Sequence, residues 1–335
     1  MTAQYPVFAH NSKKTSGSSV NSAFSVFLKI VVSGAILVFL LSRIRLAPII
    51  AVLKAYPVSS LAAPLALYIL FGFWASFKWK ILLPGIRFQP VIRVSFSRYF
   101  YAMIALGTVT GDVARAYLLG KQNKKHAAIV TASVIVDRVT GFIGLAVTGI
   151  AGILTSSMHI PPAVPIVCLA ALGLCLLAMV SLRSISCYAF VMNFIRSAPR
   201  LFPPLRPAAA ALERGFGALH IFVGQGKLMV WSVAAAVVSQ IICVAAIALL
   251  AQGLGLTVAY GDWCWIFCIV SLTVLVPVTI SGLGIREGSF VALLSLASVG
   301  AEKAMALSLL VFCLDIVLGI IGLACLWRRQ PQAGI

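Results

Sequence analysis

The stretch VPVTISGLGIREGSF, from Val276 to Phe290, decides how the rest of the chain is read. Pro277 ends the helix before it, Ser281, Gly282 and Gly284 form an extended turn, and a new helix starts with Arg286 and Glu287 in its first turn. Apolar runs flank this break on both sides, Trp263 to Pro277 before it and Ala304 to Leu326 after it. Helices broken at membrane depth are tolerated where they line a cavity, and a half-helix N-terminus pointing into one suits a phosphate or a carboxylate. The plain alternative is a loop joining two helices. Either way the stretch points to an all-α, polytopic helical membrane protein.

Composition agrees. Of 335 residues, 61% are hydrophobic and 10% are charged, and the mean hydropathy is +1.08. A soluble domain is about half apolar and about a quarter charged, so this chain has more apolar surface than any one core can hold. A large water-soluble catalytic domain, a disordered chain, collagen and a disulfide scaffold are all excluded. The 26 Lys and Arg outnumber the 7 Asp and Glu. They sit in short stretches between apolar runs, where they set topology and meet anionic lipid. Nucleic-acid binding is not expected, because no aromatic-interleaved basic patch is present. The 8 Cys form no C-x-x-C pair and lie mostly in apolar segments, as small buried hydrophobes do. Cys264 and Cys268 are one helical turn apart with no His nearby, so neither a metal nor a cofactor is expected.

Working outward, residues 1–23 form a polar N-terminal tail, and the run Phe24 to Leu41 has the character of a retained signal anchor. Further spans are expected at about Leu61 to Phe77, Ala127 to Leu154, Ala163 to Leu182, Leu228 to Ala251, Trp263 to Pro277 and Ala304 to Leu326, with a shorter helix from Ile285 to about Ala297. The piece Tyr99 to Val109 is too short to cross alone. The total expected is about eight transmembrane helices plus re-entrant or broken ones. Residues 183–227, rich in Arg, have the length of one or two amphipathic surface helices. The positive-inside rule places 78–98, 115–125, 183–227 and the tail 328–335 in the cytoplasm, although Arg43, Arg45 and Lys54 then fall outside. The piece 91–114 must therefore enter and leave on one face, as a re-entrant hairpin or a broken helix. The expected location is the inner membrane, multi-pass, with both termini cytoplasmic.

Each ionised side chain at mid-bilayer costs about 2.5–3.5 kcal/mol on insertion scales, so a chain with so few acids should keep them in loops. Asp112, Asp137, Glu287 and Asp315 instead lie inside or against apolar segments, three of them with Arg115, Arg138 or Arg286 close by. In GTVTGDVARAYLL, Gly107 and Gly111 let the backbone turn, Asp112 can cap the following helix, and that N-terminus with Arg115 makes an anion site. Asp137 and Arg138, followed by Gly141 and Gly144, form either a structural ion pair with small-residue packing or part of a polar route. Thr108-Val109-Thr110-Gly111 echoes Thr279-Ile280-Ser281-Gly282 at an offset of 279 − 108 = 171 residues, as in a transporter built from two repeats. The candidate head-group residues are thus Gly111, Asp112, Arg115, Asp137, Arg138, Ser281, Gly282, Gly284, Arg286 and Glu287. No H-E-x-x-H, P-loop, G-x-S-x-G or Ser/His/Asp set is present, so no catalytic residue is assigned.

These three clusters, in this order, resemble the lysylphosphatidylglycerol synthase transmembrane-region family, also called flippase-like or UPF0104 membrane proteins. The resemblance covers about Leu28 to Trp327 and rests on Gly111-Asp112-x-x-Arg115, on Asp137-Arg138-x-x-Gly141, and on Pro277 with Gly282, Gly284, Arg286 and Glu287. Ser308 matches a Ser common in the last span. Many relatives have Pro and a Gly-Gly-Asp where this chain has Gly107 and Thr110-Gly111-Asp112. The resemblance implies one flippase-like transmembrane domain over 24–327, with 183–227 as an amphipathic cytoplasmic connection. Larger family members add a soluble aminoacyl transferase domain, and this chain stops about eight residues past its last span. It is therefore expected to move or bind an anionic phospholipid or a polyprenyl, glycolipid or hopanoid type of lipid, not to synthesise it. Two other readings stand beside this one: a non-transporting membrane partner of a lipid or glycan biosynthetic enzyme, docked through 183–227, and a membrane-embedded lipid transferase.

Overall fold

The computed structural model describes residues 46–104, 108–123, 126–201, 206–275 and 282–327. The expected first span, Phe24 to Leu41, and Gly107, Pro277, Thr279, Ile280 and Ser281 lie outside the described residues. Among the described residues the chain is all helical: α1 Leu46–Lys54, α2 Ala62–Ile81, α3 Phe88–Ile104, α4 Thr108–Gln122, α5 Ala127–Leu154, α6 Ala163–Arg183, α7 Ile185–Leu201, α8 Arg206–Gly224, α9 Gly226–Gly253, α10 Tyr260–Val274, α11 Ile285–Ser295 and α12 Ala301–Trp327. A 3-10 turn at Val58–Leu61 leads into α2, and five helices (that turn with α2, then α5, α6, α9 and α12) are long and apolar enough to cross a membrane. On α6, Ile166, Leu169, Leu174, Leu177 and Val180 are exposed, which only a lipid solvent makes inexpensive.

Helix directions follow from the contacts. Lys78 meets Asp137 and Trp79 meets Ser133, so α2 and α5 run antiparallel. Trp74 donates to the Ala235 carbonyl and Tyr56, just before α2, packs on Gly253, so α2 is also antiparallel to α9. Tyr68 meets Asp315 and Gly72 meets Leu318, so α2 and α12 run parallel. Because α2 and α5 are antiparallel neighbours, α3 and α4 between them leave and return at one end. They form a hairpin in which Gly111 of α4 lies against Arg98 and Ala102 of α3. By the same reasoning α10 and α11, between α9 and α12, form a second hairpin that enters from the opposite end.

The order helix, hairpin, helix thus occurs twice, once as α2 to α5 and once as α9 to α12, with the second copy inverted. The 171-residue offset of the sequence echo carries Phe88–Ile104 onto 259–275, where α10 stands, and Ala127–Leu154 onto 298–325, where α12 stands. Each copy's hairpin packs on the other copy's last helix. Phe96, Phe100 and Met103 of α3 seat on Gly319 and Gly322 of α12, while Cys264, Trp265 and Cys268 of α10 seat on Gly149 and Gly152 of α5. Small residues at these seams let the backbones approach where lipid offers no hydrophobic drive for helix association. α7 and α8, in the Arg-rich region between the copies, pack on each other through Tyr188 and Phe216 and carry the exposed pair Arg196–Glu213 at 2.6 Å.

Candidate functional site

Two polar clusters lie inside this bundle, and α2 reaches both. At the first, Asp112 and Arg115, three apart on α4, share one helix face, and their ion pair closes at 2.9 Å. Arg115 Nη2 reaches Asp137 of α5 at 2.8 Å, and Arg138 Nε reaches the second oxygen of Asp112 at 2.8 Å. Lys78, from α2, lies 3.0 Å from the Asp137 carboxylate and donates to its backbone carbonyl at 2.8 Å. The Arg115 guanidinium sits over the Trp79 ring at 4.8 Å, and the Trp79 indole N–H donates to Ser133 at 3.0 Å. Arg115 is 1% exposed, and among the described residues its Nη1 has no hydrogen-bond acceptor.

Arg98 of α3 stands beside this cluster, within electrostatic reach of Asp112 and Asp137, with its Nη2 donating to the Tyr99 hydroxyl at 2.9 Å. The first cluster therefore holds four cations, Lys78, Arg98, Arg115 and Arg138, against two carboxylates, Asp112 and Asp137. Gly141, expected as a packing residue, lies under the Lys78 ammonium, and Gly144 seats Ala236 of α9.

The second cluster forms where α11 begins. Gly282 and Gly284 take φ of 75° and 87°, a left-handed backbone that glycine adopts without strain, and the chain turns there into α11. The Gly284 N–H donates to Glu287 Oε2 at 2.5 Å, so this half-helix N-terminus is closed by its own carboxylate. Arg286 binds Glu287 Oε1 at 3.1 Å, the Ser308 hydroxyl at 3.2 Å and Asp315 Oδ2 at 3.1 Å. Tyr68 of α2 donates to Asp315 Oδ1 at 2.6 Å. Among the described residues one cation here serves two carboxylates.

The structure thus divides the residues expected from sequence into two groups, with one correction: the helix carrying the first group begins at Thr108, so Gly111 and Asp112 lie within it and neither turns nor caps its start. Gly111, Asp112, Arg115, Asp137 and Arg138 are brought together at the first site, and Gly282, Gly284, Arg286 and Glu287 at the second. Ser281 lies outside the described residues. Lys78, Arg98, Tyr68 and Tyr99 were not singled out from sequence. Lys78 and Arg98 belong to a basic stretch assigned to a cytoplasmic loop, whereas α2 runs on through Lys78 and α3 starts well before Arg98. No spacing in the sequence around Lys78 marks the difference, since aliphatic stems let a basic residue sit in either place.

A cavity of 650 Å³ lies apart from both clusters, lined among others by Met158, Leu256, Asp262, Glu302 and Lys303. Asp262 there accepts hydrogen bonds from Ser156, Ser157 and the Trp265 indole.

An all-helical bundle with two inverted broken hairpins, each carrying buried ion pairs against a long span, defines a polytopic membrane protein organised around an intramembrane polar site. Within that class the chain belongs to the family described as the lysylphosphatidylglycerol synthase TM region, which it matches over residues 26–322, a stretch that contains both clusters. It is a membrane protein of lipid-related function. Comparison with curated proteins finds no match.

Proposed function

We propose that the protein is a lipid flippase, not an enzyme, that moves an anionic phospholipid or a lipid-linked substrate of polyprenyl, glycolipid or hopanoid type between leaflets of the inner membrane, with both termini cytoplasmic. The observation that supports this reading is the surplus of positive charge at the first cluster. All seven acids of the chain are accounted for: two in this cluster, two in the second, Glu213 with Arg196, Asp262 with its hydroxyl and indole donors, and Glu302 at the distant cavity. The chain has no further carboxylate to offer Lys78, Arg98, Arg115 and Arg138. Buried cations are costly unless an anion balances them, and a phosphate supplies both the charge and the acceptor that Arg115 Nη1 lacks. A head group held there escapes part of the desolvation cost that bars it from crossing hydrocarbon unaided.

The test uses proteoliposomes with head-group-labelled phosphatidylglycerol, an aminoacylated form of it and a polyprenyl phosphate, following leaflet exposure with a membrane-impermeant quencher. One anionic lipid is expected to move. A hydrogen bond to a charged group is worth about 1.5–3 kcal/mol, so Arg115→Gln should slow that movement roughly tenfold or more. Arg138→Gln should slow it less, because that side chain is 25% exposed and water partly replaces what it loses. Unchanged movement in a folded Arg115→Gln protein removes the head group from this site.

A further inference from the structure

The second cluster has the opposite imbalance from the first, and an anion does not correct it. Glu287 is 1% exposed and fully engaged by the Gly284 N–H, the Ser308 hydroxyl and Arg286, so it neutralises the one guanidinium present. Among the described residues, Asp315 shares that guanidinium without a cation of its own. It is the fifteenth residue of the 27-residue α12, so about 20 Å of helix separates it from either end. Its side chain is 34% exposed, in contrast to the sealed Glu287. A carboxylate that is mid-span, part-exposed and, among the described residues, short of positive charge is a functional site by default in a membrane, and the smallest ligand that balances it is a proton.

Asp315 is held by Tyr68 of α2 and by Arg286 of α11, whose guanidinium also holds Glu287; Tyr99 of α3, with its partner Arg98, and Cys243 of α9 stand within electrostatic range. These also join the two clusters. Tyr99 lies within electrostatic range of both Tyr68 and Asp315, and its hydroxyl accepts a hydrogen bond from Arg98, which is itself within range of Asp112 and Asp137. Along α2, Tyr68 and Lys78 are ten residues apart, about 15 Å of helix axis.

We propose that Asp315 is a proton-binding site, and that its protonation is tied through Tyr68, Tyr99 and Arg98 to occupancy of the Arg115 cluster by an anion. A proton from water adds to a carboxylate oxygen of Asp315, giving the neutral acid. Tyr68 keeps its hydroxyl proton, and Arg286 and Glu287 remain as a balanced pair. The proton is then the ion whose gradient drives movement of the anionic lipid. That last role rests on the flippase reading; the site itself does not.

The experiment separates the two. Infrared spectra of the purified full chain in detergent are recorded as pH is lowered through the neutral range. A carbonyl band of a protonated carboxylic acid should grow in, disappear in Asp315→Asn and persist in Glu302→Gln, whose carboxylate lies at the distant cavity. Tyr68→Phe retains the carboxylate and removes its hydroxyl donor, so its band should titrate at a different midpoint. Adding inorganic phosphate to fill the Arg115 cluster should also move the midpoint. A band unchanged in Asp315→Asn overturns the proposal, as does a band absent from the wild-type protein with sodium raising its melting temperature, which would make the ligand a metal cation. A titrating band in a protein that moves no lipid in proteoliposomes leaves the proton site standing and refutes the flippase reading.

Discussion

Replacing Asp137 by Asn is expected to cost about 3–5 kcal/mol of stability, because it strips the shared counter-charge from two buried cations at once. Lys78 and Arg115 both close on this carboxylate, at 3.0 and 2.8 Å, and both are buried. With the charge gone, Arg115 still has Asp112, but Lys78 is left with uncharged acceptors, the residue 137 backbone carbonyl among them. Asp112→Asn should cost less, because Arg138, one of its two partners, is partly exposed. Thermal unfolding of the detergent-purified protein measures both. The same variant also bears on what the cluster holds. Losing Asp137 widens the excess of cations by one, so a bound anion has more to neutralise. Inorganic phosphate, or a short-chain anionic lipid, should therefore raise the melting temperature of Asp137→Asn more than that of the wild type. An equal shift in both would mean that the excess charge does not bind anions.

The fold class was legible in the sequence because it is written in bulk quantities, apolar content and run length, that need no knowledge of packing. The broken helix was legible too, since Gly282 and Gly284 are required by the left-handed turn they occupy. The polar clusters were legible only in part. An acid in an apolar run attracts attention because it is expensive there, which is why Asp112, Asp137, Glu287 and Asp315 stood out. A Lys or Arg near the end of such a run does not, since it sits equally well in a loop, snorkelling at the interface or in a buried pair. Lys78 and Arg98 were hidden by that ambiguity. The opposite charge imbalance of the two clusters was hidden for a related reason. It depends on which helix faces which, and Asp315 meets Tyr68 across 247 residues of sequence.

Inversion of the two copies gives that imbalance a setting. The hairpins enter from opposite ends and their charged helices meet opposite stretches of α2, so one fold offers two related polar clusters at different heights along that helix. The copies have diverged in charge while retaining the same backbone plan. Asp137 on α5 corresponds, at the 171-residue offset, to Ser308 on α12, and each contacts the Arg of its own hairpin, Arg115 or Arg286. A carboxylate in one copy stands where a hydroxyl stands in the other.

The architecture itself is tested most severely at the seams between hairpins and spans. A Cβ at Gly152 would stand 2.6 Å from Cys264 Cβ and 2.9 Å from the Trp265 backbone nitrogen. These are atoms of a packed helix that cannot swing aside, so Gly152→Leu must push α10 off α5. Overpacking a well-filled core costs about 1–3 kcal/mol when side chains can adjust, and contact with backbone places this change at or beyond the upper end. The predicted outcome is loss of monodisperse protein on size exclusion, with the second hairpin displaced. Gly173→Leu is the matched control, because nothing lies within 4 Å of a Cβ there and α6 faces lipid. It adds the same side chain to another membrane-spanning helix and should leave the elution profile and melting temperature unchanged. If Gly152→Leu and Gly173→Leu behave alike, the second hairpin is not held by α5, and the reciprocal packing of the two copies falls with it. If only Gly152→Leu fails, Cys264→Gly should restore at most a small part of the folded protein, since it removes one contact and leaves the Gly261 carbonyl and the Trp265 backbone nitrogen against the new side chain.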